Sequence, residues 1–332
     1  MRRRTLLLSL AVTALARRAR AAPPQAARLV TDDRSSYPLL ADRDRLYWPA
    51  REAILSVEKR GGKPATVVAG NVNPLALYED RLVFEDLPPG KGLSIEPQTV
   101  IKMCRTGAPA AVTTLAAGRR MIRRATADAS GIYFHELESS SLMLLFHLPW
   151  SGGKAREVAE VVWEPGELTT DATHVYWGHI DGTVYAVDKK GGVPEVVGAG
   201  ETSTGGLAVD DRFVYFTNSE AGTLSRAPKH GGKTVELATA RPSTGRPDLS
   251  LRGQLDAVVL RGPHVYFADN DIYARNAAVR RVPKTGGRAE TVIERSGCTI
   301  EDLMFDGSQW FWVEKIEKPR EKTRYPIMSA SL

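Results

Sequence analysis

An aromatic triplet that recurs seven times constrains the fold of this 332-residue chain more than any other feature. An apolar residue is followed by two residues that are mostly aromatic, and the third residues of successive copies lie 36 to 51 positions apart. The copies are Leu46-Tyr47-Trp48, Leu82-Val83-Phe84, Ile132-Tyr133-Phe134, Val175-Tyr176-Trp177, Val214-Tyr215-Phe216, Val265-Tyr266-Phe267 and Trp310-Phe311-Trp312. This spacing is typical of four-stranded propeller blades, and we interpret the aromatic side chains as packing between blades.

The residues around each triplet predict the other strands of a blade. A short apolar strand and a polar turn come first, as Gly206–Val209 and Asp210-Asp211 precede Val214-Tyr215-Phe216. An alternating strand then leads to a glycine turn such as Gly231-Gly232, where a primed hairpin turn requires positive φ. No segment has the periodicity of a helix. The sequence therefore predicts an all-β fold, a β-propeller of four-stranded antiparallel blades, with seven blades favoured and six as the alternative.

The two ends of the chain predict how the ring closes. The seventh unit begins near Thr299 and ends at Ile327–Ala330 without a glycine turn or a fourth strand. An open blade edge at this place would promote aggregation. Ala27–Val30 has the composition of a strand and precedes the first unit, which starts at Pro38. We expect this N-terminal strand to complete the last blade.

The units resemble those of YWTD- and NHL-type β-propellers, including the low-density-lipoprotein-receptor-like propeller domains of bacterial exported proteins. Tyr215-Phe216-Thr217-Asn218 is the copy most similar to the Tyr-Trp-Thr-Asp motif, and the other copies keep only the aromatic pair. The resemblance covers residues 27–332. It implies the architecture and a ligand site at one mouth of the central channel. It implies no single activity, because propellers serve as enzymes, receptors and scaffolds.

Residues 1–21 have the organisation of an export signal. Arg2–Arg4 precede the apolar run Leu6–Leu15, and Ala19–Ala21 supplies an A-x-A cleavage site. The apolar run is too short to span a bilayer, which takes about 20 residues. The arginines fit a twin-arginine signal, although Thr5 stands where Phe is usual, and the general export route is the alternative.

Removal of the signal changes the charge of the protein. The chain has 45 basic and 39 acidic residues, a net charge of +6. Six of the 45 basic residues and no acidic residue lie in 1–21, so 39 of each sign remain. A neutral chain lacks the basic surface expected for nucleic-acid binding. We therefore expect no nucleic-acid partner. From the repeats and the export signal, we expect residues 22–332 to form one monomeric propeller domain, periplasmic or extracellular, with no transmembrane anchor.

Polar side chains follow the triplets, in loops that the alternating strand directions bring to one face of the disc. The candidate ligand-binding residues are Asp181, Glu220, Asp269, Asn270, Asp271 and Glu314, and the candidate catalytic residues are His135, Glu136 and His179. Such groups could hold Ca²⁺ or another divalent cation, or perform acid–base work. The alternatives are that no cofactor is bound, and that these loops are a solvated rim without a shared site. Asp269-Asn270-Asp271 does not fit a calcium loop, because Tyr273 and Ala274 replace a ligand and a glycine.

Four segments depart from the common unit, near residues 87–98, 239–254, 268–278 and 315–324, and such loops often carry recognition. These features favour an exported, non-enzymatic binding module of the cell envelope that recognises a protein, peptide or carbohydrate. The alternative is a metal-assisted lyase or lactonase at the channel mouth, with His179 or His135 as the acid/base. Lysines beside the glycine turns, such as Lys229, are interpreted as solvated turn residues.

Overall fold

The structure is a computed structural model that describes residues 26–32, 38–87, 99–139, 142–162, 165–246 and 252–331. These residues form 28 β-strands and no helix. The strands are organised as seven four-stranded antiparallel sheets, and the first strands of successive sheets contact each other around a central channel. The fold is a seven-bladed β-propeller, so the predicted class and blade number are confirmed. A search of the described residues for a helix able to cross a membrane gives none.

Six blades are built from four consecutive strands each, ordered from the channel outwards. Strand β1 (Ala27–Asp32) belongs to the seventh blade. Blade 1 has β2 (Leu40–Ala41), β3 (Arg45–Ala50), β4 (Ala53–Glu58) and β5 (Ala65–Ala69). Blade 2 has β6 (Val72–Tyr78), β7 (Arg81–Asp86), β8 (Thr99–Arg105) and β9 (Ala108–Arg119). Blade 3 has β10 (Ile122–Asp128), β11 (Gly131–Leu137), β12 (Leu142–Pro149) and β13 (Arg156–Val162).

The remaining blades follow the same order. Blade 4 has β14 (Pro165–Thr170), β15 (His174–His179), β16 (Val184–Asp188) and β17 (Glu195–Gly198). Blade 5 has β18 (Thr204–Val209), β19 (Phe213–Asn218), β20 (Thr223–Pro228) and β21 (Val235–Thr239). Blade 6 has β22 (Gln254–Arg261), β23 (His264–Asp271), β24 (Asn276–Pro283) and β25 (Glu290–Ser296). Blade 7 has β26 (Thr299–Phe305), β27 (Gln309–Lys315) and β28 (Tyr325–Ser331), and its outermost strand is β1.

The ring closes through the N-terminal strand, as the sequence predicts. Strand β1 pairs antiparallel with β28, with Ala27 opposite Ser329 and Asp32 opposite Tyr325. The pairing supplies the fourth strand that the seventh unit lacks. It also joins the two ends of the propeller by main-chain hydrogen bonds, which removes an open edge.

A separate hydrophobic cluster fills each of the seven blade interfaces. Between blades 4 and 5, for example, Tyr176 packs with Val214 and Phe216. The first and third residues of each triplet thus face the preceding blade, and the second residue faces the following one, because neighbouring side chains of a strand point to opposite faces. The interpretation of the triplets as inter-blade packing is confirmed, since Trp48 and Phe216 are fully buried.

The turns after the first and third strands of each blade share one face, which we call the bottom face. There the carboxylate of Asp210 caps its own turn, because Oδ1 accepts hydrogen bonds from the amides of Arg212 and Phe213. Its Oδ2 accepts a hydrogen bond from the ammonium of Lys284, in the next blade, at 2.9 Å. The described residues contain four such inter-blade pairs: Lys59–Asp306, Lys189–Asp128, Lys229–Asp171 and Lys284–Asp210.

For these four lysines the interpretation as solvated turn residues is therefore wrong, whereas Lys63, Lys154, Lys190 and Lys233 are exposed, as that interpretation expects. The Lys59 side chain is only 12% exposed and the Lys284 side chain 24%. Burial alone would raise the pKa of Asp306, but the Lys59 hydrogen bond and the amides of Ser308 and Gln309 lower it to about 2. These four lysines neutralise the acidic turns and connect neighbouring blades.

Candidate ligand site at the channel mouth

The opposite face, the top face, carries the loops after the triplets and the connections between blades. The antiparallel strand order places all of the candidate residues on this face, as expected. Placement on one face does not make them one site. Among the described residues, no group of three or more His, Cys, Asp or Glu side chains is arranged to hold a metal ion.

Three of the candidate carboxylates are paired with arginines, and they lie two residues after a triplet. Glu136 meets Arg119 at 2.6 Å, and Glu314 meets Arg295 at 2.5 Å. Asp269 accepts from Arg241 at 3.2 Å and from Arg280 at 2.7 Å. The carboxylates are 1–5% exposed. Because Arg119, Arg241 and Arg295 come from the end of the preceding blade, these pairs connect neighbouring blades on the top face.

Asn270 and Asp271 also make structural contacts. The Asn270 amide bonds to both the carbonyl and the amide of Ile300, in blade 7, at 3.0 and 2.9 Å. Asp271 accepts from the Ser243 hydroxyl at 2.7 Å and from the Thr244 amide at 2.7 Å. Against the effect of burial, such donors lower the pKa of Asp271 to about 2. Asp271 therefore fixes the connection between blades 5 and 6 as an anion.

The remaining candidates do not form one group. The buried His179 imidazole contacts Asp181 at 2.9 Å, and the Asp181 side chain is 56% exposed. Glu220 is exposed in the turn between β19 and β20. His135 is fully buried in the interface between blades 3 and 4, and neither ring nitrogen has a hydrogen-bond partner. Burial, with a smaller contribution from Arg124, lowers the pKa of His135 to about 3. This histidine is neutral and closed to solvent.

The centre of the top face contains a polar cavity of about 590 Å³, which we call the channel-mouth cavity. Loops of blades 6 and 7 contribute to its wall, and the strand residues there include Arg124, Glu167, Gln254, Asp256 and Glu301 on innermost strands and Asn270 on β23. Two further cavities, of about 470 and 120 Å³, share Glu167 with it. Together the three are lined by all seven innermost strands, so the cavity is the upper end of the central channel.

The channel-mouth cavity is lined by both signs of charge, with four carboxylates and three basic side chains. Arg124 and Glu167 face each other at 3.4 Å. Asp256 accepts hydrogen bonds from Ser219 at 3.0 Å and from Asn270 at 3.1 Å, both of which are neutral donors. Burial raises the pKa of Asp256 against these bonds, and the charge of Glu301 adds to the rise. Within the part of the chain that the structure describes, Asp256 therefore has no cationic partner.

Asp302 lies deeper in the channel, where it connects the last blade to the first. Its Oδ2 accepts a hydrogen bond from the amide of Leu39 at 3.0 Å. Burial raises the pKa of Asp302 to about 6, and the charge of Glu167 acts in the same direction. The ring closure thus includes a carboxyl group that is partly protonated in mildly acidic solution.

Apart from Asn270, the residues that line the channel-mouth cavity were not among the sequence-predicted candidates, and the reason lies in the innermost strands. Pairing of β22 shifts register between Asp256 and Val258, and pairing of β26 shifts between Ile300 and Asp302. A bulge of this kind redirects side chains and breaks the period-2 alternation by which a sequence reveals which residues share a face. The one sequence signal that could have identified Asp256 and Asp302 is a carboxylate on the short first strand of a blade.

Apolar side chains are exposed beside the cavity. Ile272 lines it and is 37% exposed, and the adjacent Tyr273 is 47% exposed. Their loop is packed against Gly245, where an added Cβ would lie within 2.4 Å of the main chain at Tyr273 and Ala274. The loop near 268–278 therefore borders the channel-mouth cavity, through Ile272 and Arg275. Residues 88–98 and 247–251, in two of the other segments, lie outside the described residues.

Comparisons with known proteins bear on the fold. No protein-family model matches this chain, and neither does any curated protein. The computationally designed Ika8 protein is similar, with a TM-score of 0.57 at 11% identity, over 89% of this chain and 82% of that one. BamB from Moraxella catarrhalis is similar with a TM-score of 0.55 at 14% identity, over 94% and 99%. These matches show the fold, a β-propeller. The YWTD or NHL type of the repeat stays a resemblance.

Proposed function

We propose that this chain is an exported, non-enzymatic binding module of the cell envelope, and that its top face holds a polypeptide at the channel-mouth cavity. The observation that carries the proposal is the position of that cavity, about 590 Å³ in volume and lined by the exposed Ile272, which the exposed Tyr273 follows in the same loop. A concave polar site with apolar side chains at its edge suits a peptide segment, which brings both backbone polar groups and side chains.

The exposed side chains favour a polypeptide over a carbohydrate. Sugar sites commonly use flat aromatic faces, but the aromatic triplets are buried between blades. Among the described residues, Tyr273 is the only aromatic among the exposed large hydrophobic side chains of the protein. Ile272 and Ile180, the latter 51% exposed in a top-face loop of blade 4, are aliphatic. Exposed aliphatic groups are typical of surfaces that contact other proteins.

The contacts of the candidate catalytic residues support binding rather than catalysis. His135 is sealed between blades, and Glu136 is held in an ion pair with Arg119. A general acid or base must reach a proton of the substrate, so neither group is placed for that work. His179 is bonded to Asp181 at the edge of blade 4 and does not line the channel-mouth cavity.

Export rests on the pattern of residues 1–21, which lie outside the described residues. Replacing Arg2 and Arg3 by lysine should retain the precursor in the cytoplasm of a bacterial host that uses the twin-arginine route. Mature protein beginning at Ala22 in the medium or periplasm, with both lysines present, would contradict that route.

Site-specific photocrosslinking tests the top-face assignment. A photoreactive phenylalanine analogue replaces Tyr273 on the top face or Val193 on the bottom face, which is 88% exposed. In an envelope extract, the Tyr273 position should give discrete adducts with a polypeptide, and the Val193 position should not. Adducts from Val193 alone, or the same adducts from both positions, would refute the proposal.

A further inference from the structure

Charge complementarity at the channel-mouth cavity indicates which kind of polypeptide side chain it accepts. Asp256 forms no ion pair within the described ranges, since its two partners, Ser219 and Asn270, are neutral. Glu301 is exposed at the same wall and accepts a hydrogen bond from the Thr299 hydroxyl at 2.7 Å. Both carboxylates line the same cavity, and the charge of Glu301 adds to the effect of burial in raising the pKa of Asp256. A cation placed between them would relieve this repulsion.

The cations near these carboxylates have other partners. Lys315 bonds to Glu317 at 2.8 Å, which raises the pKa of Lys315, and the charge of Glu301 adds to that rise. Arg275 donates to the carbonyl of Glu317, and Arg124 faces Glu167 at 3.4 Å. The protein's own basic groups therefore leave room for an incoming positive charge at Asp256.

The side chains around Asp256 suit an organic cation better than a metal ion. Both carboxylate oxygens already accept hydrogen bonds, and the described residues offer no set of three ligands. A guanidinium group carries five directional donors and can serve several oxygens at once. Gln254, on the same wall, adds an amide that could accept or donate. Ile272 and Tyr273 offer an apolar contact for the neighbouring residue of a peptide.

We propose that the channel-mouth cavity accepts an arginine side chain of an extended polypeptide segment, with its guanidinium between Asp256 and Glu301 and a flanking apolar residue against Ile272 and Tyr273. This inference rests on the proposed function, because it specifies what the top-face site recognises. Lysine presents a point charge without the planar fork of donors, so it is expected to bind more weakly than arginine.

Binding of labelled nonapeptide pools to the whole mature protein tests the inference. Four pools have randomised flanks and a fixed central arginine, lysine, citrulline or glutamate, where citrulline keeps the shape of arginine without its charge. We expect the arginine pool to bind at least about tenfold more tightly than the citrulline pool. Asp256→Asn and Glu301→Gln should each weaken the arginine pool several-fold and leave the citrulline pool unchanged. Asp211→Asn, on the exposed bottom-face turn, removes the same charge and should change neither pool.

The outcomes separate the two proposals. Equal binding of the arginine and citrulline pools, with loss of both when Tyr273 is replaced by alanine, would overturn the arginine site and leave the top-face function standing. Equal weakening by Asp256→Asn and Asp211→Asn would also overturn it, because only net charge would then matter. Failure of every pool to bind the intact protein would overturn both proposals. Thermal unfolding of each variant excludes loss of fold as the cause of weaker binding.

Discussion

Lys284 of blade 6 donates a hydrogen bond to Asp210 of blade 5 at 2.9 Å, and the same carboxylate oxygen accepts one from Tyr215 at 3.0 Å. The other oxygen of Asp210 caps the turn at Arg212 and Phe213. The Asp210 side chain therefore bonds to its own hairpin turn, to the strand that follows it and to the next blade. Blade 6 has Gly262-Pro263 in place of its acidic turn, and blade 7, which would supply the matching lysine, has no glycine turn. The interface between blades 6 and 7 therefore has neither the aspartate nor the lysine of this ion pair.

Replacing Asp210 by asparagine should destabilise the protein by about 1–2 kcal/mol, because the pair and part of the turn capping are lost together. Lys284→Met should cost less, about 0.5–1 kcal/mol, because the turn remains capped. Urea unfolding of the single and double variants gives the coupling energy between the two residues. Lys190→Met is the matched control, since Lys190 lies exposed in an equivalent turn. Equal losses for Lys190→Met and Lys284→Met would contradict a specific inter-blade pair.

Removal of Arg295 should be more damaging than removal of Lys284. Its partner Glu314 is 2% exposed, so Arg295→Met leaves a buried carboxylate without its cation. The expected loss is about 3–5 kcal/mol. Adding Glu314→Gln should recover part of that loss, because the glutamine can still accept the hydrogen bond that Trp312 donates to Glu314. A double variant that is less stable than Arg295→Met would show that Glu314 is not the reason for the loss.

Because of Asp302, the protein should become less stable as the pH rises. Its pKa is about 6 in the folded protein, above the ordinary value of 3.8, so the folded state binds more protons between these values. The associated stability is present at low pH and is lost as the pH rises through 6. Asp302→Asn removes this loss. The free energy of unfolding of the variant minus that of the wild type should therefore be about 1–3 kcal/mol larger at pH 8 than at pH 4. A difference that is the same at both pH values would refute the raised pKa.

Loss of the closing strand should expose the edge of β28. A chain that begins after Asp32 lacks the pairing of Ala27 with Ser329 and of Asp32 with Tyr325. We expect a lower unfolding temperature and concentration-dependent aggregation, because an unpaired edge pairs with other chains. A chain that begins at Ala26 keeps the strand and is the control. Equal unfolding temperatures and equal light scattering for the two chains would contradict closure by β1.

The sequence was sufficient for the scaffold because the scaffold is encoded by local, repeated patterns. Tyr215-Phe216 and Gly231-Gly232 identify a second strand and a hairpin turn wherever they recur, and the missing fourth strand of the last unit points to Ala27–Val30. The contacts of Glu136 and Glu314 were not predicted, because each arginine partner belongs to another blade. In retrospect, the sequence does contain a signal for these ion pairs, which is an arginine at the end of one blade followed by a carboxylate two residues after the next triplet.

The binding site was harder to predict than the scaffold. Asp256 and Asp302 lie on innermost strands whose bulges hide which side chains face the channel. His135 and Asp269 stood out as polar residues beside a triplet, but burial places them in blade interfaces. Composition alone cannot distinguish a carboxylate that is available to a ligand from one that is already neutralised by an arginine. That distinction depends on distances across blades.

Hydrogen–deuterium exchange of the mature protein with and without the arginine-centred peptide pool tests most directly whether the channel mouth is the binding site. We predict slower exchange in the segments 271–275, 297–301 and 315–317, which border the cavity, and unchanged exchange in the bottom-face turns at 191–193 and 231–233. Protection confined to the bottom-face turns, or no protection anywhere, would contradict binding at the channel mouth.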